Sequence, residues 1–582
     1  MMNDCYFYIG FSFVGAIMNP FDTMRCIHPG SRITSLTKSL LLDHPLKVKL
    51  CELAKAHSAL LIKEGNGMVI SKNTRIWLTL LCISSLGNVH ADAPGKQRFF
   101  SEIITNVAYY FLGDVRAQYA DHAYNGVQAA LREGYDICDQ EKAYVAQRAV
   151  GMQQAMQTLL GQPIDGTAQL PRIAFCCSGG GYRAMLATLG AMKGAQKIGL
   201  YDAALYGAGV SGGAWGLANM SHCGSSAAHC LEAVTSTIDE SLLEEFNYEQ
   251  VEQALLKQIA FTKRCSMIDF YGALLAQKLL QQQNGSNASD ISLDQQAATL
   301  VPAQQLFPIY SGVFDAGDNH YEWVEFNPYE VSSVVLGSAI PAWAFGRTFN
   351  AGVSTDTNPA QSLGYCMGIW GSSFTANIKD IADSYLPEIS SRLVAYLLGK
   401  LVQDLPDVVA DERLISPAHL HNWNYGTALP FADRKHLELL DAGLECNLPL
   451  LPLLRKARDI DIIIIFDASL QEGAVELHKA EQYARDHNIL FPPIDYSQTS
   501  QPCSVHTDWS DPRMPVIIYF PLVAQAGYCN GWDPANADFT STFDFEYSYD
   551  EAMLLAGLME YSLVHNKQTL IDTINRVISN IF

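Results

Sequence analysis

The chain has 582 residues, enough for one large domain or several small ones, and 49% are apolar against 17% charged, which excludes intrinsic disorder. With 60 acidic and 38 basic residues it carries a formal charge of −22. That balance argues against a nucleic-acid partner and against electrostatic attachment to anionic membranes, so any lipid contact must rest on an apolar patch.

Residues 1–91 read as an extension rather than as fold. In "KNTRIWLTLLCISSLGNVHA", residues 72–91, Lys72 and Arg75 precede an apolar run of 11 residues, Ile76 to Leu86, too short to span a bilayer. Val89 and Ala91 fit a small-residue cleavage rule that leaves Asp92 first. Residues 68–91 are therefore expected to be a secretory signal peptide; the alternative is a buried core helix. The stretch Lys63-Glu64-Gly65 can be encoded by the purine-rich tract that precedes bacterial start codons, so Met68 is the expected start. The expected location is then secreted or periplasmic, and an upstream start leaves a cytoplasmic or membrane-associated protein. No transmembrane span is expected, and the sequence sets no oligomeric state.

Residues 92–164 read as a helical region, with apolar residues at helical spacing in 97–115 and 143–160. Residues 165–582 read as the main domain. The apolar runs "RIAFCC" (172–177), "DIDIIIIFDAS" (459–469) and "PVIIYFP" (515–521) are unbroken, as strands covered on both faces are. Helical patterns lie between and after them, at 241–260 and 549–566. The expected fold class is α/β. The polar stretch "QQQNGSNASD", 281–290, reads as an exposed connection or as a flap over a site.

Four of the 14 cysteines precede residue 92; in an exported protein Cys223 with Cys230 and Cys503 with Cys529 are candidate disulfides, and the alternative is buried free thiols. No CxxC pair or His/Cys cluster has zinc spacing, so neither metal nor cofactor is implied.

The chemistry begins at "RIAFCCSGGGYRAM", where a strand pattern ends in three glycines and turns into a helix. A helix N-terminus offers free amides. A phosphate cradle is one reading, but the GK[ST] end of a P-loop and the G-x-G-x-x-G spacing are missing. An oxyanion hole is the other, and it needs a nucleophile. About 30 residues on, Gly209-Val210-Ser211-Gly212-Gly213 satisfies G-x-S-x-G, the elbow that exposes a serine hydroxyl. Its base is a histidine or a carboxylate. Ser211, Asp441 and His506 give a Ser…Asp…His order, although nothing local marks His506, which lies in "QPCSVHTDW". Asp441 closes an apolar segment and is followed by Ala-Gly, which suits either a close-approaching carboxylate or an ordinary turn aspartate.

The sequence resembles the catalytic domain of the group IV cytosolic phospholipase A2 and fungal lysophospholipase (phospholipase B) family. The motifs, in the family's order, are "SGGGYRAM", "GVSGGAW", "WVEFNPYEV" (323–331), "AFGRTFNAG" (344–352), "MGIWGSSF" (367–374), "DAGLECNLP" (441–449), "IIIIFDAS" (462–469) and "STFDFEYSYDEAMLLAGLMEY" (541–561), covering roughly residues 165 to 570. The resemblance implies a patatin-like three-layer fold, with a central mainly parallel sheet flanked by helices and a cap or flap. It implies a Ser–Asp dyad without a catalytic histidine: Ser211 as nucleophile, Asp441 as base, Gly180 and Gly181 as oxyanion amides with Gly212 assisting, and Arg183 at the substrate phosphate or the developing charge; the alternative for Arg183 is a structural ion pair beneath the site. "DAGL" stands where "DSGL" or "DGG" is usual. Nothing resembles the calcium-binding domain of the animal members, so calcium is not carried over. The implied activity is hydrolysis of fatty-acyl esters of phospholipids or lysophospholipids at a membrane or micelle surface. The acidic composition points to lipid access through an apolar lip, with 281–290 and "PAWAFGRTF" (341–349) as candidates, the aromatics of the latter suiting a core equally well. Two alternatives are a Ser–His–Asp esterase using His506 and a catalytically silent lipid-binding protein on the same fold.

Overall fold

The computed structural model describes residues 113–581, except 120–121, 165–169, 225, 241, 243–245, 263–265, 281–287, 318–319 and 375–416. The expected signal peptide and most of the expected flap lie outside the described residues. The described chain belongs to one unit that begins at Leu112.

Its frame is a twelve-stranded sheet. The strands that matter below are β1 Ile173–Cys177, β2 Tyr206–Val210, β3 Phe307–Gly317, β4 His320–Phe326, β5 Glu330–Ser333, β6 Ser338–Pro341, β7 Ala418–His421, β8 His436–Asp441, β9 Ile462–Asp467, β10 Ser504–His506 and β11 Val516–Pro521. A two-residue strand, Arg132–Glu133, pairs with β6 at one edge. Five adjacent strands, in the order β11-β9-β1-β2-β3, run parallel. The expected mainly parallel sheet is therefore its centre. The wings differ: β3 to β6 form an antiparallel meander, β10 is antiparallel to β11, and the β7–β8 hairpin joins β3 antiparallel. The sheet is mixed.

The apolar runs are unbroken because both faces of the central strands are covered. Ile173, Phe175, Ile462, Ile464 and Phe466 point into one core, and Ala174, Cys176, Ile463 and Ile465 into the other. The first core is built with helices α2 Gly181–Ile198, α3 Ser211–Cys223, α4 Met267–Leu279, α5 Leu363–Trp370 and α7 Tyr549–His565. On the second face lie Tyr144 and Met152 of α1, Asp139–Leu160, and Leu477 and Ala480 of α6, Val475–Asp486.

Residues ahead of β1 are built into this frame. Arg458 is buried between two carboxylates: Nε and Nη2 meet Glu141 of α1 at 2.9 and 3.3 Å, and Nη1 meets Glu325 at 2.9 Å. Arg455 Nη1 also reaches Glu325, at 2.8 Å. A buried guanidinium survives only where such partners neutralise it.

No described cysteine is joined in a disulfide, so neither candidate pair is bridged. Cys223 and Cys230 face each other within hydrogen-bonding contact, and that neighbour together with burial holds the Cys223 thiol well above its ordinary pKa. A thiol kept neutral is a poor partner for oxidation. Cys503 is half-buried and Cys529 exposed.

Helix α2 is buried nearly all round and its glycines set how closely α7 approaches. A Cβ at Gly190 would stand 2.0 Å from the Ala556 carbonyl oxygen. Gly190→Ala must push the two helices apart, at about 1–3 kcal/mol for overpacking. We expect Tm to fall by several degrees in differential scanning calorimetry at fixed scan rate; an unchanged Tm would mean the α2–α7 contact yields without loss.

Candidate active site

The site lies at the carboxyl ends of the parallel strands, where open α/β sheets place their ligands. The pairing of β3 explains why residues far apart in sequence meet there. Along one edge β3 pairs with β4 over Tyr310–Gly317. Its opposite edge is shared by two strands in succession. β2 occupies it up to the pair Val210↔Ser311, and β8 takes over from the pair Asp441↔Gly312. Ser311 and Gly312 are consecutive, so the last residue of β2 and the last residue of β8 meet end to end. Ser211 follows Val210 directly.

Ser211 is the first residue of α3 and has φ 48°, a left-handed conformation that a non-glycine residue adopts only under constraint. The constraint is visible: Gly213 donates its amide to Ser178 O at 3.1 Å, and a Cβ at Gly212 would stand 1.9 Å from the Gly181 carbonyl oxygen. The turn from β2 into α3 is thus pressed against the turn from β1 into α2. Gly180 and Gly181 make that second turn with φ 130° and 63°. The amides of Gly180, Gly181 and Gly212 donate to no described residue. Three amides without a described acceptor thus lie in the two turns that press together at Ser211, whose hydroxyl is buried and itself makes no hydrogen bond of ordinary geometry.

Asp441 is buried. Its amide donates to Ser372 Oγ at 2.9 Å, and its Oδ1 accepts from the Gly443 amide at 2.8 Å. Loss of water pushes its pKa from 3.8 up to about 6. Donors from Gly443, Ser373 and Ser211 pull the other way. The hydroxyl of Ser211 is thus close enough to favour the carboxylate, although the pair is not drawn into a formal hydrogen bond.

Arg183 comes up from beneath. It is buried, with Nε donating to Ala468 O at 2.7 Å, Nη1 to Thr540 O at 2.7 Å and Nη2 to Ser469 O at 3.0 Å. Three of its five N–H groups are committed to carbonyls. Its Nη2 edge abuts Gly180, where a Cβ would stand 2.6 Å away. The charge is delivered to the glycine turn rather than presented to solvent.

His506 is not at the site. It lies on β10, separated from β2 by β11, β9 and β1. Its ring is engaged there: Nδ1 accepts from the Asp495 amide at 3.2 Å and Nε2 meets Ser504 Oγ at 2.8 Å. The Ser211–Asp441–His506 triad does not assemble.

The segment 341–349 does not form a lip. Phe345, Phe349 and Arg347 are buried, and Trp343 stacks on Tyr124 with ring centroids 4.4 Å apart. An aromatic wall does stand near Ser211, from other residues. Trp215, one turn after Ser211, packs against Phe374 (5.8 Å), which meets Phe545 (5.0 Å) and Phe543 (5.7 Å). Phe374 and the Thr542 carbonyl border Gly181, and Phe543 is 56% exposed, so the wall runs from the glycine turn to solvent. Ser372, Ser373 and Phe374 lie in "MGIWGSSF", and Asn447 lies in "DAGLECNLP". Both motifs were legible, but nothing in them said which side chain turns toward the site.

A profile of the lysophospholipase catalytic domain matches residues 173–486. Mouse cytosolic phospholipase A2 zeta is 26% identical over 76% of this chain and 61% of its own length. Human cytosolic phospholipase A2 beta is 25% identical over 78% of this chain and 67% of its own length. The chain thus spans about three-fifths of the length of the zeta relatives. Among solved structures, human GIVD cytosolic phospholipase A2 superposes with a TM-score of 0.66 at 22% identity, over 78% of this chain and 69% of that one. A further structure of it is a complex with methyl gamma-linolenyl fluorophosphonate. From its glycine turn, its serine elbow and the matched span, the chain belongs to the lysophospholipase catalytic-domain family.

Proposed function

We propose that the chain is a serine acyl hydrolase that cleaves fatty-acyl esters of phospholipids or lysophospholipids through a Ser211–Asp441 dyad, on a fold of the patatin-like three-layer kind. The observation that carries this reading is the shared edge of β3, which sets the serine elbow beside the end of β8. The Asp441 carboxylate takes the hydroxyl proton as Ser211 Oγ attacks the ester carbonyl. The amides of Gly180, Gly181 and Gly212 receive the negative oxygen, and Arg183 adds positive charge behind them. Protonated Asp441 returns the proton to the leaving alcohol, and water then releases the fatty acid from Ser211. The aromatic wall ending at Phe543 gives the acyl chain an apolar path, which suits a strongly acidic protein that meets lipid without basic charge. Among the described residues no helix is long and apolar enough to cross a membrane. Export through residues 68–91 remains part of the proposal, and N-terminal sequencing of the mature protein tests it.

The direct test is product analysis with phosphatidylcholine and lysophosphatidylcholine. Ser211→Ala is expected to lower fatty-acid release by at least about a thousandfold and to abolish labelling by a fluorophosphonate probe. Well-folded native protein that neither labels nor hydrolyses would favour the silent lipid-binding alternative. His506→Ala should retain activity per folded molecule.

The pKa of Asp441 makes two further predictions. The base works ionised, so kcat/KM should fall about tenfold per pH unit below about 6 and level off above it. Because the folded pKa lies above the unfolded one, Asp441 favours folding when protonated; that advantage fades as pH rises from 3.8 to about 6. Above this the buried carboxylate costs about 3 kcal/mol. Asp441→Asn should therefore be inactive yet at least as stable as the native protein at pH 8. A large loss of Tm with activity retained would remove Asp441 from the mechanism.

A further inference from the structure

Asn447 sits in the turn after β8 and is fixed by the turn after β1 and by α6. Its carbonyl accepts from the Gly179 amide at 2.9 Å, and its own amide donates to Glu476 Oε2 on α6 at 2.6 Å. Glu476 is fully buried, and its Oε1 accepts from Asn447 Nδ2 at 3.4 Å and from Lys479 Nζ at 3.2 Å. With Nδ2 held by the carboxylate, Oδ1 faces the opposite way, toward the site. A Cβ on Gly179 would stand 2.3 Å from this Oδ1 and 3.3 Å from Ser211 Cβ. A Cβ on Gly443 would stand 2.8 Å from it and 3.1 Å from Asp441 Oδ1. Neither glycine has positive φ, so backbone conformation does not require them. What they leave is room around an uncharged acceptor between the nucleophile and the base.

We propose that Asn447 orients the water that hydrolyses the acyl-enzyme, with Glu476 as the positioning residue that keeps its carboxamide oxygen turned inward. The inference rests on the acyl-enzyme reading above. The attacking water needs one O–H directed at Asp441 and the other at a group that does not take the proton. A carboxamide oxygen accepts a hydrogen bond without being basic at neutral pH. The water oxygen forms a bond to the acyl carbonyl carbon, its proton passes to the Asp441 carboxylate, and the carbonyl electron pair moves onto the oxygen held by the glycine amides. As that pair returns, the bond from carbon to Ser211 Oγ breaks, Oγ takes the proton from Asp441, and the fatty acid leaves. The second O–H stays on Asn447 until the product departs. Acylation uses no water, so the role is confined to the second step.

The experiment is pre-steady-state hydrolysis of a 4-nitrophenyl fatty-acyl ester by the full-length protein, with intact-mass measurement of the quenched enzyme. Asn447→Ala should leave the rate of 4-nitrophenol release in the first turnover within about twofold, slow the steady state about tenfold or more, and accumulate acyl-Ser211. Glu476→Gln presents an NH2 group to Asn447 Nδ2, turns the carboxamide over and should give the same signature without a cavity; it also serves if Asn447→Ala fails to fold. First turnover and steady state slowed equally, or neither slowed, would overturn the role. Native protein that forms acyl-Ser211, beside variants that turn over normally, overturns this inference alone. Ester turnover surviving in Ser211→Ala removes the hydrolase reading and this inference together.

Discussion

The arrangement depends on one strand having two partners along the same edge. β3 is longer than β2, and where β2 ends β8 begins to pair with it. A strand that stops hands its carboxyl end to the neighbouring space, and the strand that continues the ladder brings its own end to the same place. The serine elbow and the buried aspartate come together through backbone hydrogen bonds rather than side-chain attraction. The parallel centre of the sheet supplies the helix N-termini, and the antiparallel wing supplies the carboxylate.

That placement sets an electrostatic conflict on which the proposed dyad relies. Burial disfavours the carboxylate, while Gly443, Ser373 and the Ser211 hydroxyl favour it. The balance leaves Asp441 more basic than a solvated aspartate and still ionised near neutrality. The glycine amides and Arg183, whose Nη2 abuts Gly180, form a region of opposite polarity. In the proposed mechanism a proton taken by Asp441 and a negative oxygen held by the glycine amides have separate hosts.

Much of this was legible in sequence where a single local pattern carries the meaning. The triple glycine, the G-x-S-x-G elbow and the unbroken strands at 172–177, 462–467 and 515–521 each reflect a local demand: free amides, a sharp turn, burial on both faces. The meander from β3 to β6 is not legible in the sequence, because its buried polar residues, among them Glu322, Glu325 and Glu330, break the apolar pattern that marks a core strand. Glu325 and Glu330 face arginine partners more than 100 residues away that no local window reveals, while Glu322 meets His320 on its own strand. The same limit applies to Arg183, whose carbonyl partners lie near residues 468 and 540, and to Asn447, whose orientation is set by α6. Aromatic content alone misplaced the lip at 341–349, since tryptophan and phenylalanine are as much at home in a core.

The buried Arg458 has a practical corollary. The family profile starts at residue 173, yet one of the two carboxylates that neutralise this guanidinium is Glu141. A recombinant fragment trimmed to the homology border would keep the arginine and discard half of its counter-charge. Expression designs for this protein should therefore begin upstream of α1, not where the family profile begins.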